Sequence, residues 1–164
     1  MATSKFSAAS IKYIAVHCSA TQPKHNFGVD DIRTMHLKRG FNDVGYHFII
    51  KRDGTVQEGR KLDVAGAHVM GYNNQSLGVC LIGGINAQGK SENNYTLEQF
   101  ASLAQVIIML KDKFPKATVQ GHRDFPNVAK DCPCFDVKAW YKDTVENKVG
   151  SNPIKRAETS AILK

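Results

Sequence analysis

Two imidazoles, a thiol and an ammonium group stand out among the residues of this chain. His17 closes an apolar run, His122 sits in Gly121-His122-Arg123-Asp124, and Cys132 sits in Lys130-Asp131-Cys132-Pro133. Imidazole and thiolate are donor types that bind zinc, and three protein ligands leave a tetrahedral ion one open position for water. Such a site activates water and polarises a carbonyl. A lysine two residues before the thiol could hold a developing oxyanion. The spacing is not that of a compact metal motif, because more than a hundred residues separate His17 from Cys132. Each residue taken singly also reads as an ordinary hydrogen-bonded or packed side chain. Composition and periodicity do not bring the three together; only a fold can.

The elements that must position them can be read from patterning. Lys12 to His17 reads as a strand, rich in β-branched residues, with His17 at its end and on the same face as Tyr13 and Ala15. Cys18 should point to the opposite face. Val29 to Arg39 reads as a helix, with Asp30 and Asp31 at its positive start and Gly40 beyond its end. Tyr46 to Lys51, Asp53-Gly54 and Thr55 to Glu58 read as a hairpin, with Asp-Gly supplying the positive φ angles of a primed turn. Leu77 to Ile82 is a buried strand, with Cys80 a small core residue.

Thr96 to Lys113 is the clearest helix. Thr96 and Gln99 form a capping-box pattern, and Phe100, Leu103, Ala104, Ile107, Ile108 and Leu110 supply its apolar side. Ala117 to Gln120 is a short strand running into His122, and Val137 to Val149 a final helix. The segment 150–164 reads as a flexible tail, with a possible helical turn over Ala157 to Leu163. His25 and His36 read as surface or helix residues, and His47, pointing away from Tyr46, as packed.

Composition narrows the function classes. The chain has 164 residues, enough for one domain with a real core. No apolar run reaches the roughly 18 residues of a membrane helix, and the first residues lack a secretory pattern. A cytoplasmic protein without a membrane anchor is the expectation, and its four cysteines read as free thiols or metal ligands. The net charge of +7 favours polyanionic surfaces. Specific nucleic-acid binding is not expected, since no reading motif accompanies that charge.

Several strings carry a family resemblance when taken in order. They are Val16-His17-Cys18-Ser19-Ala20-Thr21, Val44-Gly45-Tyr46-His47-Phe48-Ile49-Ile50-Lys51-Arg52-Asp53-Gly54 and Gly71-Tyr72-Asn73 with Ser76-Leu77-Gly78-Val79. Gly121-His122-Arg123-Asp124 and Lys130-Asp131-Cys132-Pro133-Cys134-Phe135-Asp136-Val137 complete the set. Together they resemble the zinc N-acetylmuramoyl-L-alanine amidases of the peptidoglycan-recognition-protein type, above all the short amidase endolysins of T-seven-like phages. The resemblance runs from about residue 11 to about residue 142.

The resemblance implies an α/β domain over 1–149, with a central mixed sheet of about five strands flanked by helices and a zinc cleft at the sheet's edge. It assigns one Zn2+ to His17, His122 and Cys132, and catalytic roles to Tyr46 and Lys130. It puts His68, Asn73 and Asn74 along the substrate groove. It also implies hydrolysis of the amide between N-acetylmuramic acid and L-alanine in peptidoglycan. The protein would act as a monomer, waiting in the host cytoplasm and reaching the wall after holin-type membrane permeabilisation. Cys134 stands where the family often has serine. Two other readings remain: a non-catalytic peptidoglycan-binding module, which Cys132 disfavours, and a regulator that binds the phage RNA polymerase.

Overall fold

The computed structural model describes residues 10–146. Five strands form one mixed sheet: β1 (Tyr13–Cys18), β2 (Phe48–Ile50), β3 (Val56–Glu58), β4 (Ser76–Leu81) and β5 (Thr118–Gly121). Their order is β3-β2-β4-β1-β5. Strands β2, β4, β1 and β5 are parallel neighbours, and β3 runs antiparallel beside β2.

Helix α1 (Val29–Lys38) carries the chain from β1 to β2, and α2 (Leu97–Lys113) carries it from β4 to β5. The two crossings travel in opposite directions along the sheet. Right-handed crossovers of opposite direction place their helices on opposite faces. The core follows this division. Ile14 and Val16 of β1 pack with Leu77, Val79 and Leu81 of β4 against Leu103, Val106, Ile107 and Leu110 of α2. On the other face Ile49 and Cys80 pack with Ile32 of α1 and Val44.

Helix α2 is the best-specified element. The Thr96 hydroxyl accepts from the Gln99 N–H, and the Gln99 side chain accepts from the Thr96 N–H, both at 3.0 Å. Gln99 also donates from Nε2 to the carbonyls of Ile50 and Ile82, so one buried amide caps the helix and ties it to two strands. The short helix α3 (Val137–Trp140) starts at Asp136, whose carboxylate accepts from the Ala139 N–H, and continues as a π-helical turn over Tyr141–Glu146. The expected helix thus changes character after Trp140. Its last residues, 147–149, and the tail 150–164 lie outside the described residues.

One local expectation needs correction, and a second is narrowed. The β2–β3 connection is not a two-residue primed turn. The Lys51 N–H donates to the Thr55 carbonyl, the Gly54 N–H donates back to the Lys51 carbonyl, and only Gly54 takes positive φ, at +88°. Asp53 instead accepts the Thr55 N–H on its side chain, which favours the longer turn. Of the two readings of His36, surface or helix residue, the second holds: it lies in α1 and is buried, with Nδ1 accepting the Gly45 N–H at 2.8 Å. Ile32 and His36 are one turn apart and together form the buried face of α1.

Candidate metal centre and active site

The site lies at the carboxyl ends of the parallel strands, where the two crossovers diverge and open sheets leave a crevice. His17 is the penultimate residue of β1, and strand alternation turns it to the α1 face, away from Cys18. His122 follows β5 directly, in a 3₁₀ turn over His122–Asp124 whose start is held by Asp124 accepting the Gly121 N–H at 2.8 Å. Cys132 comes from the loop after that turn. Its carbonyl accepts the Arg123 N–H, and its sulfur accepts the Cys18 backbone N–H at 3.0 Å. The Cys132–Pro133 peptide is cis.

These placements bring the three residues together. One donor atom from each of His17, His122 and Cys132 lies within 4.8 Å of the other two. Burial holds the His17 imidazole well below its usual pKa, and the neighbouring imidazoles His68 and His122 add to the effect. His122 is lowered by burial and then by the Lys130 ammonium. Neutral imidazoles at neutral pH are what a cation needs. The Cys132 thiol is held above its usual range by its hydrogen bond with Cys18 and by burial, so a cation would have to displace its proton.

His68 does more than line the wall. Its Nδ1 lies 2.8 Å from His17 Nε2, which leaves Nδ1 as the available donor of His17. The Nε2 of His68 lies 3.3 Å from the Ser76 hydroxyl, which donates to the Tyr72 carbonyl at 2.8 Å. One set of tautomers satisfies the whole chain: His17 Nε2–H donates to His68, His68 Nε2–H to Ser76, and Ser76 to the backbone. A partner that fixes the far nitrogen of a ligand histidine also fixes its ring orientation. Gly78 makes the arrangement possible, because a Cβ there would come within 2.9 Å of the His68 ring. The roles of Ser76 and Gly78 were not read from sequence. The signal available was the small pair in Ser76-Leu77-Gly78, two residues apart on one strand face.

The remaining expected residues divide. Tyr46 packs its ring 5.0 Å from that of His17, and burial pushes its phenol well above the usual range, so it stays protonated. Lys130 is exposed at the mouth of the same cleft, a cavity of about 530 Å³ also lined by Arg39, Phe41, Met70 and Asn73. Asn73 accepts the backbone N–H groups of His68 and Val69, both at 2.9 Å, and so fixes the loop that carries His68. Asn74 is exposed and is not part of the cleft lining. His47 is fully buried: its Nδ1 accepts the Gly78 N–H, and its Nε2 lies 2.8 Å from the Val64 carbonyl. It is a packed residue, as expected, although it lies just before β2 and not within it.

A family model described as N-acetylmuramoyl-L-alanine amidase matches residues 7–135. The chain belongs to this family. The amidase is 50% identical over 127 residues to the endolysin of Enterobacteria phage K11, covering 77% of this chain and 83% of that protein. Its identity to the endolysin of Escherichia phage T7 is 48% over 129 residues, 79% of this chain and 84% of that one. Among solved structures, the endolysin amidase LysCS from Clostridium intestinale URNW matches with a TM-score of 0.69 at 28% identity, covering 81% of this chain and 80% of that one. The fold expected of an amidase is therefore the fold observed, and peptidoglycan is the substrate class.

Proposed function

We propose that this amidase is a zinc-dependent endolysin. In this reading one ion is held by His17, His122 and Cys132, and the enzyme cuts the amide between the lactyl group of N-acetylmuramic acid and L-alanine. The observation that carries the reading is the convergence of three zinc-type donors within 4.8 Å of one another, in a cleft that also holds Tyr46 and Lys130. The donor set fits the metal: two imidazoles disposed to neutrality, one with its far nitrogen already engaged, and a thiol whose sulfur accepts a backbone N–H.

Bound zinc would supply a Lewis acid and a water of lowered pKa. The protein's own groups do the rest. Lys130 offers an ammonium to the oxyanion that forms as the amide carbonyl is attacked. The protonated Tyr46 phenol donates to that oxygen or orients the water. His68 and Ser76 keep His17 in one orientation, and Asn73 keeps His68 in place. Arg39 lies over the Phe41 ring at 5.0 Å. Arg39 and Lys130 are the charged side chains of the cleft lining, and both are cationic. That charge suits the carboxylates of a peptidoglycan stem peptide.

No helix of the described residues is long and apolar enough to cross a membrane. Release to the wall through a separate membrane-permeabilising protein is consistent with this and with the likeness to phage endolysins. The test is digestion of purified peptidoglycan with and without a chelator, scoring new L-alanine amino termini and new reducing sugar ends. Amino termini that vanish with chelator and return with zinc support the reading. Undiminished cleavage after complete metal removal would sink the zinc assignment.

A further inference from the structure

The chemistry above leaves three thiols unused: Cys80, packed in the core, and Cys18 and Cys134 beside the ligand loop. Strand alternation turns Cys18 to the face opposite His17, where it is 7% exposed. Its thiol neighbours those of Cys132 and Cys134 and the Tyr95 hydroxyl. Cys134 sits half-buried in the ligand loop at φ +74°, with its sulfur 3.4 Å from the Gly84 carbonyl. Gly84 is also what Cys18 packs on: a Cβ there would come within 2.6 Å of the Cys18 sulfur. Both thiols therefore converge on one glycine, which provides the room they occupy, and both are free.

We infer that Cys18 and Cys134 form an oxidisable dithiol beside the metal ligand. The inference rests on Cys132 being held by zinc, which removes that sulfur from competition and leaves Cys18 one thiol partner. The oxidant is a small disulfide such as oxidised glutathione. The thiol of Cys134, the more accessible of the two, attacks that disulfide, forming a mixed disulfide and releasing one reduced glutathione. Cys18 then displaces the second. In sum two S–H bonds are lost, one S–S bond forms, and two electrons and two protons leave on two molecules of reduced glutathione. The product ties the loop over residues 130–134 to the end of β1, segments more than a hundred residues apart in sequence. That loop carries Cys132 and Lys130, and β1 carries His17. The bond would therefore hold the ligand set together where surroundings are oxidising and open where they are reducing.

The experiment uses the zinc-loaded full chain, treated with oxidised glutathione or with dithiothreitol. Non-reduced peptides are mapped by mass spectrometry, and zinc transfer to a chromophoric chelator is timed. The expected result is a Cys18–Cys134 link with zinc retained and a several-fold slower release of metal. Dithiothreitol should reverse both effects, and Cys134→Ser should lack both. A Cys18–Cys132 link with loss of zinc, a mixed disulfide that stops at Cys134, or no cross-link would each overturn the inference while leaving the amidase intact. A chain that cleaves peptidoglycan yet never takes up zinc would instead fail the zinc reading, independently of the disulfide map.

Discussion

The two faces of the same strands do different work. Toward α2, β1 and β4 present Ile14, Val16, Leu77, Val79 and Leu81, a continuous apolar layer. Toward α1 the same strands present Ala15 and His17, and Ser76, Gly78 and Cys80, so small and polar residues leave room for imidazoles. The cavities differ as well. The larger hollow, about 1020 Å³, lies between the hairpin and α2 and has Val56, Leu62 and Met109 among its lining. The smaller, about 530 Å³, holds the three converging donors. Size therefore does not mark the candidate site here. The convergence of imidazoles and a thiol does, so one face stabilises the fold and the other carries the proposed site.

The sharpest way to break that division is at the proposed metal site. Cys132→Ser should abolish zinc retention and reduce amino-terminus release to background, while the apolar layer keeps the fold; metal analysis beside circular dichroism checks both. Lys130→Ala should keep zinc and the fold but lower kcat by about 10²–10³-fold, the range for one lost oxyanion donor. Near-normal turnover in that variant would remove its assigned role.

On the opposite face, Ile107→Ala should cost roughly 2–5 kcal/mol of stability through the cavity it leaves, with zinc stoichiometry unchanged at a permissive temperature. Denaturant melts beside metal analysis would show whether the faces separate.

Beside His68 lies His47, buried and lowered to about 4, chiefly by desolvation. Its Nδ1 accepts the Gly78 N–H, and protonation there would remove that bond. The unfolded imidazole takes a proton below about 6.5, whereas the folded one resists until about 4. Stability is therefore complete above the unfolded value and falls as pH drops through this window, by about 3 kcal/mol for this one group. Melts of the metal-free chain between those pH values test it, and His47→Asn should flatten the slope. The smallest expected effect is at His68: its replacement by Ala should weaken zinc binding roughly 10–100-fold through loss of ring orientation, read by competition with a chromophoric chelator.

Much of this was legible before any coordinates. The strand ending at His17, the capped helix from Thr96 to Lys113, the buried strand around Cys80 and the mixed five-stranded sheet all follow from patterning and family likeness. The single elements do so because backbone periodicity and burial are local in sequence, and the sheet because the resemblance implies it. The hairpin turn was misread because Asp53 satisfied the backbone with its side chain instead of adopting positive φ. Of the two readings of His36, surface or helix residue, only the structure chose the helical one, because the partner that buries it, the Gly45 backbone, arrives from a loop and not from the helix.

By itself the sequence determined which donors exist and which element carries each: His17 on β1, His122 after β5, Cys132 in the loop beyond. Only the tertiary structure decided that they meet. Parallel pairing of β1 with β5 sets the two histidines side by side, and the Cys18 N–H fixes the sulfur against β1. The line from His17 through His68 to Ser76 likewise has no sequence signature. It joins residues from two strands and a loop, and its existence depends on the missing side chain of Gly78. A donor's type is a property of one residue, whereas a coordination site is a property of distances, and distances between remote residues are set only when the sheet assembles.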